Sequence, residues 1–256
     1  MLNYTTFLRK EFTENMRTKR LLVLGCVFLM FGITGALLAR YMGEFLAFVL
    51  PAGDEMGQAM IDAMGNPHWA DSYMQFYSQL SQIGVFSILF MYMGTVQREI
   101  NSGTASLMFS KGLGFASFIL AKFTMGAIIV TLVTVVSAIV TYVYTFLLFD
   151  EAGQLGHILA GSLAFSLGAV MLLAVFILCS SLTKNSAASG GLGVVGFFLF
   201  VLTGFHRFSP YNLLGHAIAI SGGYFTDTLL VNTLMAVAVA ALALIAAIWR
   251  LKRSEG

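Results

Sequence analysis

The chain has 256 residues, of which 58% are hydrophobic and only 10% charged, with a mean hydropathy of +0.86 and a formal net charge of +2. Soluble globular domains carry about 25% charged residues, so a water-soluble protein is excluded, and the length fits roughly one integral membrane domain spanning residues 1–256. A charge this small gives no reason to expect a nucleic-acid partner. Cys26 and Cys179 stand alone in separate apolar runs, which excludes a disulfide framework and leaves them as small apolar residues of buried helices.

Residues 1–20 set Leu2, Phe7, Leu8, Phe12 and Met16 near one helical stripe, surrounded by Arg9, Lys10, Glu14, Arg17, Lys19 and Arg20. That pattern predicts an amphipathic helix lying in the membrane surface; it is too polar and basic for a cleaved signal peptide. Residues 21–39 form the first expected span, about 29 Å at 1.5 Å per residue, ended by Arg40. Residues 41–72 read as an outer loop holding Glu44, Asp54, Glu55, Asp62 and Asp71. Met56, Met60 and Met64 recur there every four residues, as in a short amphipathic helix.

Residues 73–96 are the second span. Gln75, Gln79 and Gln82 fall on one face of it, and bare amides facing lipid are costly, so this face must meet other helices or a wet path. Residues 123–149 are the third span, with Lys122 placed to snorkel at its start. Thr131, Thr134, Ser137, Thr141 and Thr145 share one face of it. Residues 157–182 are the fourth span, with Gly161, Ala164 and Gly168 as small packing residues. After a short turn at Lys184 and Asn185 comes the fifth, residues 187–204, with small residues at Ser186/Gly190, Ala187/Gly191 and Ser189/Gly193. Residues 205–227 mix His206, Arg207, Pro210, Asn212 and His216 with apolar pairs, which predicts a segment that enters the outer leaflet and turns back. Residues 228–249 are the sixth span, anchored by Trp249, Arg250, Lys252 and Arg253.

Six spans put both termini on one side. Twelve of the fourteen Lys and Arg residues lie there, with only Arg40 and Arg207 opposite, while most acids lie in the other loops. The positive-inside rule then predicts a multi-pass protein of the cell membrane with both termini cytoplasmic.

No span carries an acid at its middle, against a proton- or sodium-coupled transporter. No GxxxxGK[ST], HExxH or GxSxG occurs, so the chain is expected to hold no catalytic residue and no cofactor of its own. His68, His157, His206 and His216 all fall near the outer boundary, and no metal site is expected among them. Energy for any uphill transport must therefore enter from elsewhere. Residues 98–122 offer the entry point, because Asn101, Ser102, Gly103 and Thr104 form a turn-prone cluster. Leu107, Met108 and Phe109 then make an apolar patch between charged flanks, more than a plain connector needs.

Three features together resemble the membrane subunit (permease) of ABC-2 type ABC transporters, the exporter group. They are Phe7-Leu8-Arg9-Lys10-Glu11-Phe12 with Arg17-Thr18-Lys19-Arg20 before the first span, Glu99-Ile100-Asn101-Ser102-Gly103-Thr104-Ala105 with Ser110-Lys111 and Phe118-Ile119-Leu120-Ala121-Lys122 beyond it, and six spans with an irregular outer segment before the last. The resemblance covers most of the chain. It departs at Gly112, where relatives often carry proline.

The resemblance implies an all-α, six-span permease working as a homodimer in membrane lipid. It implies two copies of a cytoplasmic ABC ATPase subunit, which would hold the ATP and Mg. It implies that residues 98–113 form a coupling helix seated in that subunit through Arg98, Glu99, Ile100, Ser102, Gly103, Thr104, Leu107, Met108, Phe109 and Lys111. The N-terminal helix would be the connecting helix, touching the same partner through Phe7, Lys10, Glu11 and Arg17.

The acidic, Met-rich outer loop and the polar span faces fit export of an amphipathic, antimicrobial-type peptide. A lipid, a drug or an ion are alternative substrates, and a non-transporting sensor or structural subunit is the rival class. Gln75, Gln79, Gln82, Thr134, Ser137 and Thr141 could line the path, or equally serve as interhelical hydrogen-bond glue.

Overall fold

In hydrocarbon every backbone polar group must be satisfied inside the chain, which leaves helices or closed barrels. The computed structural model describes residues 4–50, 59 and 65–255, and its regular structure is helical, with no strand among the described residues. The helices are α1 (Tyr4–Arg17), α2 (Arg20–Val49), α3 (Trp69–Gln79), α4 (Val85–Tyr92), α5 (Thr95–Asn101), α6 (Thr104–Ser110), α7 (Phe115–Phe149), α8 (Leu155–Leu182), α9 (Ser186–Thr203), α10 (Asn212–Ser221) and α11 (Leu229–Glu255). Among the described residues, six segments are long and apolar enough to cross a membrane: α2, the run Trp69–Asn101, α7, α8, α9 and most of α11. The chain is an all-helical, polytopic membrane protein.

Several helices overrun their expected bounds, because the backbone ladder continues past the apolar side chains. Arg40 does not end the first span. It lies inside α2, its guanidinium over the Tyr41 ring. α7 starts at Phe115, eight residues before the expected position. The run beginning at Trp69 opens with a capping box, in which Asp71 accepts the His68 backbone N–H and His68 Nδ1 accepts that of Ala70. It passes through a π-helical turn at Leu80–Gly84 and breaks at Met93 and Gly94, the latter at φ +73°. Leu2 and the expected helix around Met56, Met60 and Met64 lie outside the described residues.

The central column is α8, which is free of charged residues and lined with small ones. A helix apolar on all sides belongs inside a bundle, and α7, α9, α10 and α11 all pack on it. α10 is an apolar helix about 15 Å long, half of what a crossing needs. It is wedged between α8 and α3, where Ser221 Oγ reaches Tyr77 Oη and Gly161 lets its backbone approach α8.

α1 differs from expectation in the face it uses. Phe7, Glu11 and Asn15, at i, i+4 and i+8, are buried against the bundle, whereas Phe12 and Met16 stay exposed. The single expected stripe thus divides into a face that meets protein and a neighbouring apolar face left open.

Candidate functional site

The candidate site lies where α1, the start of α2, the end of α4, α5 and the first turns of α7 converge. The fold places the expected docking residues on two short helices rather than one continuous helix over residues 98–113. The break has a local cause. Ser102 and Thr104 turn their hydroxyls back onto the Glu99 carbonyl, at 3.2 and 3.1 Å, and Gly103 takes φ +71° with open space around it. Its requirement is conformational rather than steric. Gly112 sits at φ +87°. Proline is held near −65°, so the turn after Ser110 and Lys111 is one that a proline there could not form.

Of the apolar patch, only Leu107 points fully outward, at 63% exposure. Phe109 turns in, its ring centroid 4.5 Å from that of Phe115 and 5.4 Å from Phe118, and Met108 packs half-buried on the core. Arg98, Ser102, Thr104 and Lys111 are exposed and Ile100 and Gly103 half-buried, while Glu99 faces the bundle. The outward surface is therefore Leu107 with basic neighbours, narrower than the patch read from sequence.

Behind it is a buried ion network. Lys122 does not snorkel: its side chain is 1% exposed, about 10 Å along α7. Its ammonium donates to Glu11 Oε1 and Glu99 Oε1, both at 2.8 Å. Lys10 donates to Glu99 Oε1 at 2.6 Å and pairs with Glu14 at 2.8 Å and Glu11 at 3.3 Å. Aromatic rings wall the site. Lys122 lies 5.1 Å from the Phe118 centroid and 5.8 Å from that of Phe7, which stacks on Phe118. The buried Arg20 lies over Tyr92, and its charge reaches Glu14.

Three carboxylates thus face three cations, and the cluster is neutral. That balance is what burial demands, since an unpaired charge in this setting costs several kcal/mol. Glu11, Glu14 and Glu99 place carboxylate oxygens within 4.8 Å of one another, a spacing that could suit a divalent ion. The lysine ammonium groups bridge them, and the arrangement ties α1, α5 and α7 together.

Burial alone would lower the Lys10 ammonium's pKa, but its hydrogen bonds to Glu14 and Glu99 outweigh this and hold it above the ordinary lysine value. Burial would likewise raise the Glu14 carboxyl, but the Lys10 hydrogen bond, helped by Lys122 and Arg20, holds it below the ordinary value. A depressed carboxylate stabilises above its unfolded pKa and loses that contribution as the pH falls through its folded one. A raised lysine contributes fully below its unfolded value and loses that contribution as the pH rises through its folded one. Proteolytic protection of α1 is therefore expected to be flat from about pH 6 to 9 and to fall below about pH 4. A transition near neutrality would contradict the ion-pair account.

The polar faces of the spans divide. Thr134, Ser137 and Thr141 are fully buried between α2 and α7. The hydroxyls of Thr134 and Thr141 donate to the carbonyls of Val130 and Ser137 on their own helix, and Gly32 of α2 packs on Ser137. The glutamines lie nearer the surface. Gln79 accepts from Thr34 at 3.0 Å, Gln75 lines a cavity of about 440 Å³ with Arg40, Glu44 and Asp71, and Gln82 is exposed on the π-turn. His216 bonds Asn232, Thr226 and Thr228, while His206 Nδ1 accepts from the Phe208 N–H, so the two rings serve separate local contacts.

Sequence reading placed Glu11, Glu99 and Lys122 on three different elements and missed that they meet. One signal was present: Glu11 shares a helix face with Phe7, and a charge on a buried face needs a partner.

No family model matches the chain. Over 194 residues, 73% of this chain and 71% of the relative, it is 26% identical to the Bacillus subtilis (strain 168) protein described as the uncharacterized transmembrane protein YxlG.

Proposed function

We propose that the chain is the membrane subunit of an ATP-driven exporter of the ABC-2 type, one of two permease copies driven by a pair of cytoplasmic ATPase subunits. The observation that carries this reading is the α5–α6 pair. It is anchored from behind by the buried network of Glu11, Glu99 and Lys122, and it presents Leu107 with Arg98 and Lys111 outward. An element that receives a push needs this combination: a small accessible face on a rigid mount tied to several spans. α1 belongs to the same mount, with Arg9 and Arg17 on its open side. The lack of a nucleotide-binding motif and of mid-span acids leaves a partner as the energy source.

The substrate we assign is an amphipathic peptide. The surface-lying glutamines of the second span and the cavity holding Arg40, Glu44 and Asp71 supply polar contacts along a mostly apolar wall. Thr134, Ser137 and Thr141 are left out of this path, as their burial suits packing.

The test is purification of the tagged chain from its native membrane. An ATPase subunit with Walker motifs is expected to accompany it, and Leu107→Asp should abolish that association while leaving the permease folded. The reconstituted complex should then hydrolyse ATP faster with cationic amphipathic peptides than with lipid or small-molecule panels. Purification without any ATPase would end the exporter reading, and stimulation by lipid or drug alone would replace the peptide assignment.

A further inference from the structure

α5 begins at Gly94, whose side chain can offer no cap and whose φ of +73° turns the chain sharply. The cap comes from another span. Ser180 Oγ, near the end of α8, accepts the backbone N–H groups of Val96 and Gln97, at 3.1 and 3.4 Å. Two side-chain amides one turn apart, Gln97 Nε2 and Asn101 Nδ2, then donate to a single acceptor, the Lys184 carbonyl, at 2.7 and 3.0 Å. Lys184 lies in the turn between α8 and α9, next to Asn185, which caps α9 by accepting from the Ala187 N–H.

α9 is otherwise lightly held. Its buried residues are Ser189, Gly190, Gly193 and Phe197, while Val195, Phe198, Leu199 and Leu202 face outward. Its first turns slide close along the end of the second span. A Cβ on Gly94 would meet Ser186 Oγ, and one on Gly190 would meet Met93 Sδ at 2.7 Å. The same joint leaves polar atoms unpaired. Thr95 Oγ1, Gln97 Oε1, Ser186 Oγ and Ser189 Oγ are buried without a hydrogen-bond partner among the described residues.

We propose that Gln97 and Asn101 form a clamp that ties α5 to α9 through the Lys184 carbonyl, making α9 the span that moves with the docking element. Gln97 and Asn101 are positioning residues in this account. They touch neither nucleotide nor transported molecule and act on the start of α9. The inference rests on the proposed exporter function only for the origin of the push; the clamp itself is a property of this chain.

The experiment places spin labels at Ser102→Cys and Ala188→Cys, both exposed positions, in a Cys26→Ser, Cys179→Ala background reconstituted in phospholipid vesicles. A single narrow interspin distance is expected, and Gln97→Leu with Asn101→Leu should replace it by a broad distribution. Asn101→Ala alone, at an exposed site, is expected to broaden it partly and guards against loss of fold. Unchanged elution and unchanged protection of α1 confirm that each variant is folded. An unaltered distribution in the folded double variant overturns the clamp. This arm needs no ATPase, so failure of an ATPase to co-purify would end the exporter reading while leaving the clamp answered. Where an ATPase does co-purify, ATP with vanadate should shift the distance in the parent and not in the double variant; an equal shift in both overturns the proposal.

Discussion

Lys122→Met is expected to destabilise the protein by about 3–5 kcal/mol, the usual cost of removing one partner from a buried ion pair. The lysine side chain is 1% exposed and is shared by Glu11 and Glu99. Without it, among the described residues Glu11 keeps the 3.3 Å contact with Lys10 and Glu99 keeps Lys10. Three helices would lose their common anchor, so α1 and α5 should both become accessible to protease, and the melting temperature in detergent should drop. The combination Glu11→Leu with Lys122→Met removes one charge of each sign, keeps the remaining cluster balanced and should recover part of the loss, since apolar replacement of both partners of a buried ion pair is often neutral or stabilising. It should recover stability without recovering ATPase association, because the network also sets where α5 sits. A Lys122→Met protein that melts like its parent would show that the cluster contributes nothing to holding these helices.

Gly161→Leu is expected to dislodge α10. A Cβ at position 161 would sit 2.7 Å from the Ala217 carbonyl oxygen and would collide with Ser221 Oγ. The first of these is backbone, which cannot rotate away, so the helix itself must shift. Overpacking of a tight core costs typically about 1–3 kcal/mol and more when backbone must move. Cysteine accessibility at Ala217→Cys and Ser221→Cys, buried in the parent, reports the displacement. Gly156→Leu, with open space around its Cβ, is the matched control and should leave both positions protected. Protection of both cysteines in the Gly161→Leu protein would mean that α10 is not held against α8 in this way.

Much of the architecture was legible because membrane burial is a local property. A run such as that in α8 has no charge to keep it in water, and residues such as Arg250 and Lys252 mark a boundary wherever they fall. Residues 205–227 were legible as an irregular stretch between two spans, from their mixture of polar and apolar residues. Helix ends were less so. Hydropathy reports where side chains leave hydrocarbon, whereas the hydrogen-bond ladder of α2 runs past Arg40 to Val49. The turn-prone, partly apolar stretch after the second span was legible as a segment, but its division into outward Leu107 and inward Phe109 depends on the turn at Gly103 and on rings from α7.

The number of spans, the charge asymmetry of the loops, the amphipathic start and the turn-prone stretch after the second span all follow from residue types and their spacing, because solvation cost and helical period act over a few residues. Which charges meet does not. Glu11 and Lys122 are 111 positions apart, and Gln97 and Lys184 are 87 apart. Nothing within a turn or two of either residue says that they will touch. Lys122 looked like a surface lysine, and Thr134, Ser137 and Thr141 could have lined a path or filled a seam. Only the packing of α1 and α5 onto α7, and of α2 across Ser137, shows where these side chains lie, since burial and pairing are properties of the faces that helices present to one another.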